Sequence, residues 1–462
     1  MARKRVPEAK KGRGFVAPKY KRYVGSLLRI LALPYLKVAE QVSRLRYRGM
    51  EHLAGAFNRF HGGGERLIIM FRHVAKEDAP VMVRLIVREL PRWCRRAGIS
   101  LKQRPHVHFL YGKDVLNWAG AGARWLFPRI GGIPVVNTKL DRESQGAIRE
   151  TLVSGEFPLA FAPEGQVTYH MFKTAPLVPG AATLADWAYT GVRNNGGNGA
   201  VTILPVSIAY TPKGGMEETF QQLLAMVAAK MALPMHALGV QALGEGDQGR
   251  VEKLAEIVID TLESSYASQY PGIFKEVAER LKPVNLQERY NALCETVLRC
   301  AESALGWLPL GTTLERIFRI RYRVMESFHR EDIDPEKLSR MDKNRADFRA
   351  LQALVLKRHS ELADILEYID FSYLEKPGTL RKIEFLLNLL DLLNRFEGGN
   401  INSRFTLKKK EARLIIGRPF RGDPFFMEHP GSRKTGREAL TRQLLDDYAS
   451  LQRELEEWIG ED

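Results

Sequence analysis

Apolar and polar positions follow two rhythms along this chain, and the change between them predicts its organisation. From residue 66 short apolar runs of strand length recur: Arg66–Phe71, the alternating His106–Tyr111, Gly131–Val136, Pro158–Ala162 and Val201–Ala209. Between them lie stretches of helical period, such as Pro80–Arg96, which carries an internal Pro91, and a polar loop, Asn194–Gly199. Strands separated by helices over residues 66–210 predict an α/β domain. After about residue 245 the period becomes helical, in Glu252–Leu281 and around residues 286–305, 311–329, 335–366 and 378–395. Gly398-Gly399 and the basic run Lys408–Arg437 interrupt this pattern before a last amphipathic helix, Glu438–Ile459. The expected division is a basic leader over 1–25, an α/β domain over 26–245 and a mainly helical extension over 246–462.

Charge sharpens the reading of both ends. The 462 residues carry a formal charge of +16, and residues 1–29 hold ten Lys or Arg against the single acid Glu8. Such an excess favours anionic partners: nucleic acid, anionic lipid or phosphorylated metabolites. Directly after the leader, Leu27, Leu28, Ile30, Leu31, Leu33 and Leu36 form a short apolar helical stripe suited to a bilayer interface. At about 12 residues, interrupted by Arg29, Pro34 and Lys37, it falls short of the roughly 20 that a membrane span needs. No h-region of a secretory signal follows the basic start, and Cys94, Cys294 and Cys300 match neither a disulfide framework nor a zinc pair. A cytoplasmic protein, peripheral to the inner face of the cell membrane, is the expectation.

Candidate chemistry begins at His73-Val-Ala-Lys-Glu-Asp78, where a strand gives way to a helical run. An aspartate there can hold one imidazole nitrogen so that the other removes a proton from a hydroxyl, with no serine nucleophile. His329-Arg-Glu-Asp-Ile-Asp334 has the same spacing but sits in an acidic stretch before Pro335, as an exposed loop capping the next helix would. Only the first is followed by Phe161-Ala-Pro-Glu-Gly165, which puts Glu164 and Gly165 at a sharp turn after a strand, and by Pro205 inside an apolar strand. His106 and His108 share a strand face, but no third metal ligand is apparent, so no metal is expected. Gly244-Glu-Gly-Asp-Gln-Gly249 matches a dinucleotide fingerprint without a βαβ unit around it and reads as a linker. There is no G-x-S-x-G elbow of a serine hydrolase.

At these residues the chain resembles the glycerolipid acyltransferase family that includes bacterial 1-acyl-glycerol-3-phosphate acyltransferases. The family's H-x-x-x-x-D block matches His73 and Asp78, its F-P-E-G block matches Phe161–Gly165, and its proline-containing strand matches Ile203–Ile208. Tyr47–Leu53 is similar to the lead-in block and Pro179–Ala185 to a G-A-A-x-x-A helix start, so the likeness spans about residues 26–215. Three positions depart from the pattern. Arg72 replaces the usual Asn, the phosphate-meeting arginine of the second block is absent, leaving Arg142 or Lys139 to serve, and Gln166-Val-Thr168 replaces T-R-S.

The resemblance implies a glycerol-3-phosphate acyltransferase-like α/β domain, with a mixed sheet flanked by helices, that transfers an acyl group from coenzyme A or acyl carrier protein to a lysophospholipid hydroxyl. His73 would be the base, Asp78 its orienter and Glu164 a residue that positions the acceptor, with no cofactor beyond the thioester co-substrate. The leading acceptor is 1-acyl-glycerol-3-phosphate; the rival readings are an acyltransferase with a different lipid acceptor, and a non-catalytic protein that binds a membrane or nucleic acid through the leader and through residues 404–437. There Phe405, Phe420, Phe425 and Phe426 interleave with Arg404, Lys408, Lys409, Lys410, Arg413, Arg418 and Arg421.

Overall fold

The computed structural model describes residues 8–12, 14–136, 141–232, 246–429 and 431–461. They form two compact units: Phe15–Lys213 with Leu407–Asp462, and Met1–Gly14 with Gly214–Thr406. In chain order the strands are β1 (Lys10–Lys11), β2 (Val42–Arg48), β3 (Arg66–Phe71), β4 (His108–Gly112), β5 (Ile133–Val135), β6 (Leu159–Phe161), β7 (Val201–Pro212), β8 (His329–Arg330), β9 (Lys410–Ile416) and β10 (Phe420–Arg421).

The first unit is α/β. Its eight-stranded sheet has the order β2-β9-β7-β3-β6-β4-β5, with β10 on β7. β7, β3, β6, β4 and β5 run parallel, while β9 is antiparallel to β7 and carries β2 parallel to itself. The sheet is therefore mixed, as expected. Central strands of a sheet flanked by helices bury both faces, which is why β7 and β3 read as almost unbroken apolar runs. Helices α1 (Arg22–Val38), α2 (Met50–His61), α3 (Asp78–Arg84), α4 (Leu90–Arg96), α5 (Val115–Trp118), α6 (Gly120–Arg129), α7 (Arg142–Ser154) and α8 (Gly180–Asn194) precede the C-terminal helix Arg433–Gly460. A wide turn at Leu85–Glu89 joins α3 to α4 just before Pro91, absorbing the proline's missing N–H within one helical run. Arg66 ties β3 to α7 by donating to the carbonyls of Thr151, Leu152 and Gly155 at 2.8–2.9 Å, which caps the helix C-terminus.

Three boundary expectations are corrected. Residues 407–462 do not extend the helical region: β9 enters the sheet between β2 and β7, and helix 433–460 packs on β7 and β9. Helix Met216–Lys230, expected in the α/β domain, belongs to the helical unit. The leader over 1–25 is divided: Lys19 and Lys21 donate backbone N–H groups to Pro128 and Arg129 of the α/β unit, whereas β1 pairs with β8 in the helical unit.

The helical unit otherwise follows the 3.6-residue period. Helices Gly246–Gln269, Pro271–Leu281, Leu286–Leu305, Thr313–Phe328, Arg340–Leu366 and Thr379–Phe396 follow one another, with side-chain caps from Asn285, Thr312 and Ser339. The loop expected to cap the following helix caps a short 3-10 turn instead: Asp334 accepts from the Glu336 N–H at the start of Pro335–Lys337 and pairs with Lys11, while Ser339 caps the helix itself. Of the glycine-rich segment, Gly244 and Glu245 lie outside the described residues, and Gly246–Gly249 open a helix.

Candidate active site

Parallel strands present their C-terminal ends along one sheet edge, where ligands of open α/β sheets gather. His73 follows β3 at this edge and Glu164 follows the adjacent β6. Asp78 opens α3 and is fully buried.

The His73 side chain is 24 % exposed, and its Nδ1 lies 3.0 Å from Asp78 Oδ2. A carboxylate can only accept there, so Nδ1 carries the proton and Nε2 is left as the basic nitrogen. Among the described residues Nε2 has no hydrogen-bond partner. Asp78 Oδ2 also accepts from the Ala75 N–H at 2.8 Å, and Oδ1 accepts from the Tyr210 hydroxyl at 2.6 Å. Burial works against a charged imidazole, but the hydrogen bond and charge of Asp78, with the charges of Glu164 and Glu77, prevail and hold His73 above its ordinary range. Tyr210 is pushed the same way by burial and by Asp78 and Glu77, which keeps its phenol protonated and donating.

Both backbone groups of His73 are fixed by the loop after β6. Its N–H donates to Glu164 Oε2 at 3.0 Å, and its carbonyl accepts from the N–H of Thr168 at 2.7 Å and from the Thr168 hydroxyl at 3.2 Å. Gly165 sits at φ +74°, which only glycine adopts freely, and this allows the tight turn back toward β3. Arg72, wholly buried, donates to Glu164 Oε1 at 2.5 Å and to the carbonyls of His170, Met171 and Lys173 at 2.7–3.4 Å.

The expectation for Glu164 is thereby corrected. Its buried carboxylate faces inward, with both oxygens engaged by Arg72 and the His73 backbone, so it positions His73 rather than meeting an acceptor. Pro205 is also corrected: it is buried in the middle of β7, opposite Met70 of β3. Pro205 O accepts from Gly417 N, so the nitrogen without a proton points to the same side, where β7's neighbour changes from β9 to β10. Arg142 is exposed at the first turn of α7, after β5. Three strand spacings, roughly 14 Å, separate β5 from β3 along the edge. Lys139 lies outside the described residues.

The proposed basic binding surface over 404–437 is corrected in part, because Lys410, Arg413 and Phe426 are buried. Arg413 stacks on Trp458 and donates to its carbonyl, and Arg421 is paired with Asp423. His106 Nε2 and His108 Nδ1 are each spent on a backbone carbonyl, of Ile130 and Gly131, at 2.8 and 2.7 Å. No metal-holding cluster of His, Cys, Asp or Glu occurs among the described residues.

Sequence reasoning missed Tyr210 and Glu77, treated Arg72 and Thr168 only as departures, and placed Lys410 on a basic surface rather than in the site. A charged residue continuing the apolar run of β3 was the available signal for Arg72, since a buried guanidinium requires a buried acceptor. Tyr210 and Lys410 gave none, being joined to the site only by the sheet. No family model matches this chain, nor does any curated protein or solved structure.

Proposed function

We propose that the α/β unit is an acyltransferase, moving a fatty acyl group from a coenzyme A or acyl-carrier-protein thioester to the hydroxyl of a lysophospholipid, with 1-acyl-glycerol-3-phosphate as the leading acceptor. The observation that carries this reading is the His73–Asp78 pair, whose Nε2 has no hydrogen-bond partner among the described residues and whose backbone is clamped by Glu164 and Thr168. Nε2 takes the hydroxyl proton as the oxygen attacks the thioester carbonyl. The C–S bond then breaks, and the departing thiolate takes the proton from the imidazolium. Arg142, exposed at the same sheet edge, is the candidate contact for an acceptor phosphate.

A lipid acceptor fits the surface of α1. Val24, Gly25, Ala32 and Leu36 face inward, while Tyr23, Leu27, Ile30, Leu31, Tyr35 and Val38 form an exposed stripe, with Ile30 67 % and Val38 79 % accessible. Exposed Lys19, Lys21, Arg22 and Lys37 border it, which is the pairing of apolar face and cations that an anionic bilayer favours. α1 packs on α3, and Glu40 just beyond it accepts from Tyr35 and pairs with Lys76 of the His73 loop. No helix among the described residues is long and apolar enough to cross a membrane.

The test is a purified assay with labelled acyl-CoA or acyl carrier protein and a panel of lysolipids, the product identified by mass. Esterified lysolipid, lost in His73→Ala, is the expected result. Full turnover by His73→Ala, or no product with any donor and acceptor pair, overturns the assignment.

A further inference from the structure

Behind the His73–Asp78 pair lies a second layer of buried polar groups drawn from distant parts of the chain. Tyr210 comes from β7 and Lys410 from the start of β9, 333 residues from its partner Glu77. The β7–β9 register sets Tyr210 opposite Ala412 and Pro212 opposite Lys410, so Tyr210 and Lys410 lie diagonally on one face of the sheet. Lys410 Nζ lies 5.4 Å from the centre of the Tyr210 ring and forms an ion pair with Glu77. Lys410, Glu77, Tyr210 and Asp78 are all buried, so their charges act on one another with little screening.

Charge counting gives this layer its role. Glu77 and Asp78 are adjacent carboxylates, and the groups around His73 are Asp78, Glu77, Glu164 with its partner Arg72, Tyr210, and beyond them Lys410, Glu40 and Lys76. Arg72 offsets part of the Glu164 charge and Lys410 part of the Glu77 charge, so both act on His73 more weakly than Asp78 does. The Asp78 charge is itself spread over the donors Tyr210, Ala75 and His73.

We propose that Tyr210 and Lys410 are positioning residues of the candidate active site, acting through Asp78 and Glu77 to limit how tightly His73 holds its proton. This deepens the acyltransferase reading and rests on it for its catalytic meaning. Loss of the Tyr210 hydroxyl leaves the Asp78 charge less dispersed, so His73 keeps its proton to higher pH. Loss of the Lys410 charge exposes His73 to Glu77, with the same sign. One hydrogen bond to a charged group corresponds to a rise of about one pH unit in the His73 titration.

The experiment is a proton–carbon NMR titration of the full-length protein with labelled histidine, with the His73 resonance identified by its absence in His73→Gln. Tyr210→Phe, which keeps the ring and its packing, is expected to move the His73 midpoint up by about one unit. Lys410→Met should move it up as well, and Lys410→Arg should return it. Paired Lys410→Met and Glu77→Gln should restore it too, and this pair covers a single variant that fails to fold. An unchanged midpoint in Tyr210→Phe and in the Lys410 series overturns the proposal, because a purely structural role leaves the titration in place. The readout needs no turnover: shifted midpoints in a protein with no acyl transfer reject the enzymatic reading and keep the network, whereas normal transfer with fixed midpoints does the reverse.

Discussion

Arg72→Met removes the guanidinium that is buried against Glu164 while keeping much of the side-chain volume. In the wild type Arg72 supplies one donor to the carboxylate and three to the carbonyls of His170, Met171 and Lys173. After the change the His73 N–H, at 3.0 Å, is the one donor left to the buried Glu164 carboxylate among the described residues. Removing one partner of a buried ion pair costs about 3–5 kcal/mol, whereas removing both charges costs much less. Arg72→Met with Glu164→Gln leaves an amide oxygen to accept from His73, so the pair of changes should recover at least about 2 kcal/mol relative to the sum of the single ones. Five of the six tryptophans, Trp93, Trp118, Trp125, Trp187 and Trp458, belong to the α/β unit, so urea unfolding followed by tryptophan fluorescence reports mainly on it. Residual acyl transfer should fall further than stability does, because the Glu164 clamp on the His73 backbone loosens as well. A loss below about 1 kcal/mol for Arg72→Met, or additive single and double changes, refutes the reasoning.

Other outcomes follow from the same geometry. His73 must be neutral to act as base, so kcat/KM should rise with pH through a midpoint above the ordinary 6.5; a midpoint at or below it contradicts the Asp78 pairing. Because that folded-state value is raised, the stability that the His73–Asp78 pair contributes is complete below the unfolded imidazole range and fades as pH climbs through the folded one, which pH-dependent unfolding of His73→Gln can read. Burial holds His106 down to about 4, against the hydrogen bond to Ile130, so the α/β unit should lose roughly 3 kcal/mol as pH falls from the ordinary imidazole range to that value, and His106→Gln should flatten the loss. Ile30→Asp with Leu31→Asp, both at exposed positions, should cut flotation with anionic vesicles at least tenfold and leave the urea midpoint in place; unchanged flotation removes α1 as the lipid contact. Arg142→Ala should raise KM several-fold for a phosphate-bearing lysolipid and leave kcat largely intact; no change in KM moves the phosphate contact elsewhere.

The sequence by itself determined the elements whose cause is local. The apolar runs of β3 and β7, the long periodic helices and the turn at Gly165 arise from side-chain period and backbone freedom within a few residues. The histidine and aspartate of the candidate site were legible for the same reason, being five positions apart around a strand end. The sheet partners of those elements were not. β9 begins in a Lys-Lys-Lys run that locally resembles a solvated face, and it becomes an interior strand only because Glu77 and Trp458 neutralise or stack on its cations. Arg72 and Glu164 lie 92 residues apart in sequence, and Tyr210 reaches Asp78 across 132. A buried charge is stable only beside its counter-charge, and pairing across a sheet is set by register between distant segments; tertiary structure therefore decided which carboxylate faces inward and which lysine is buried.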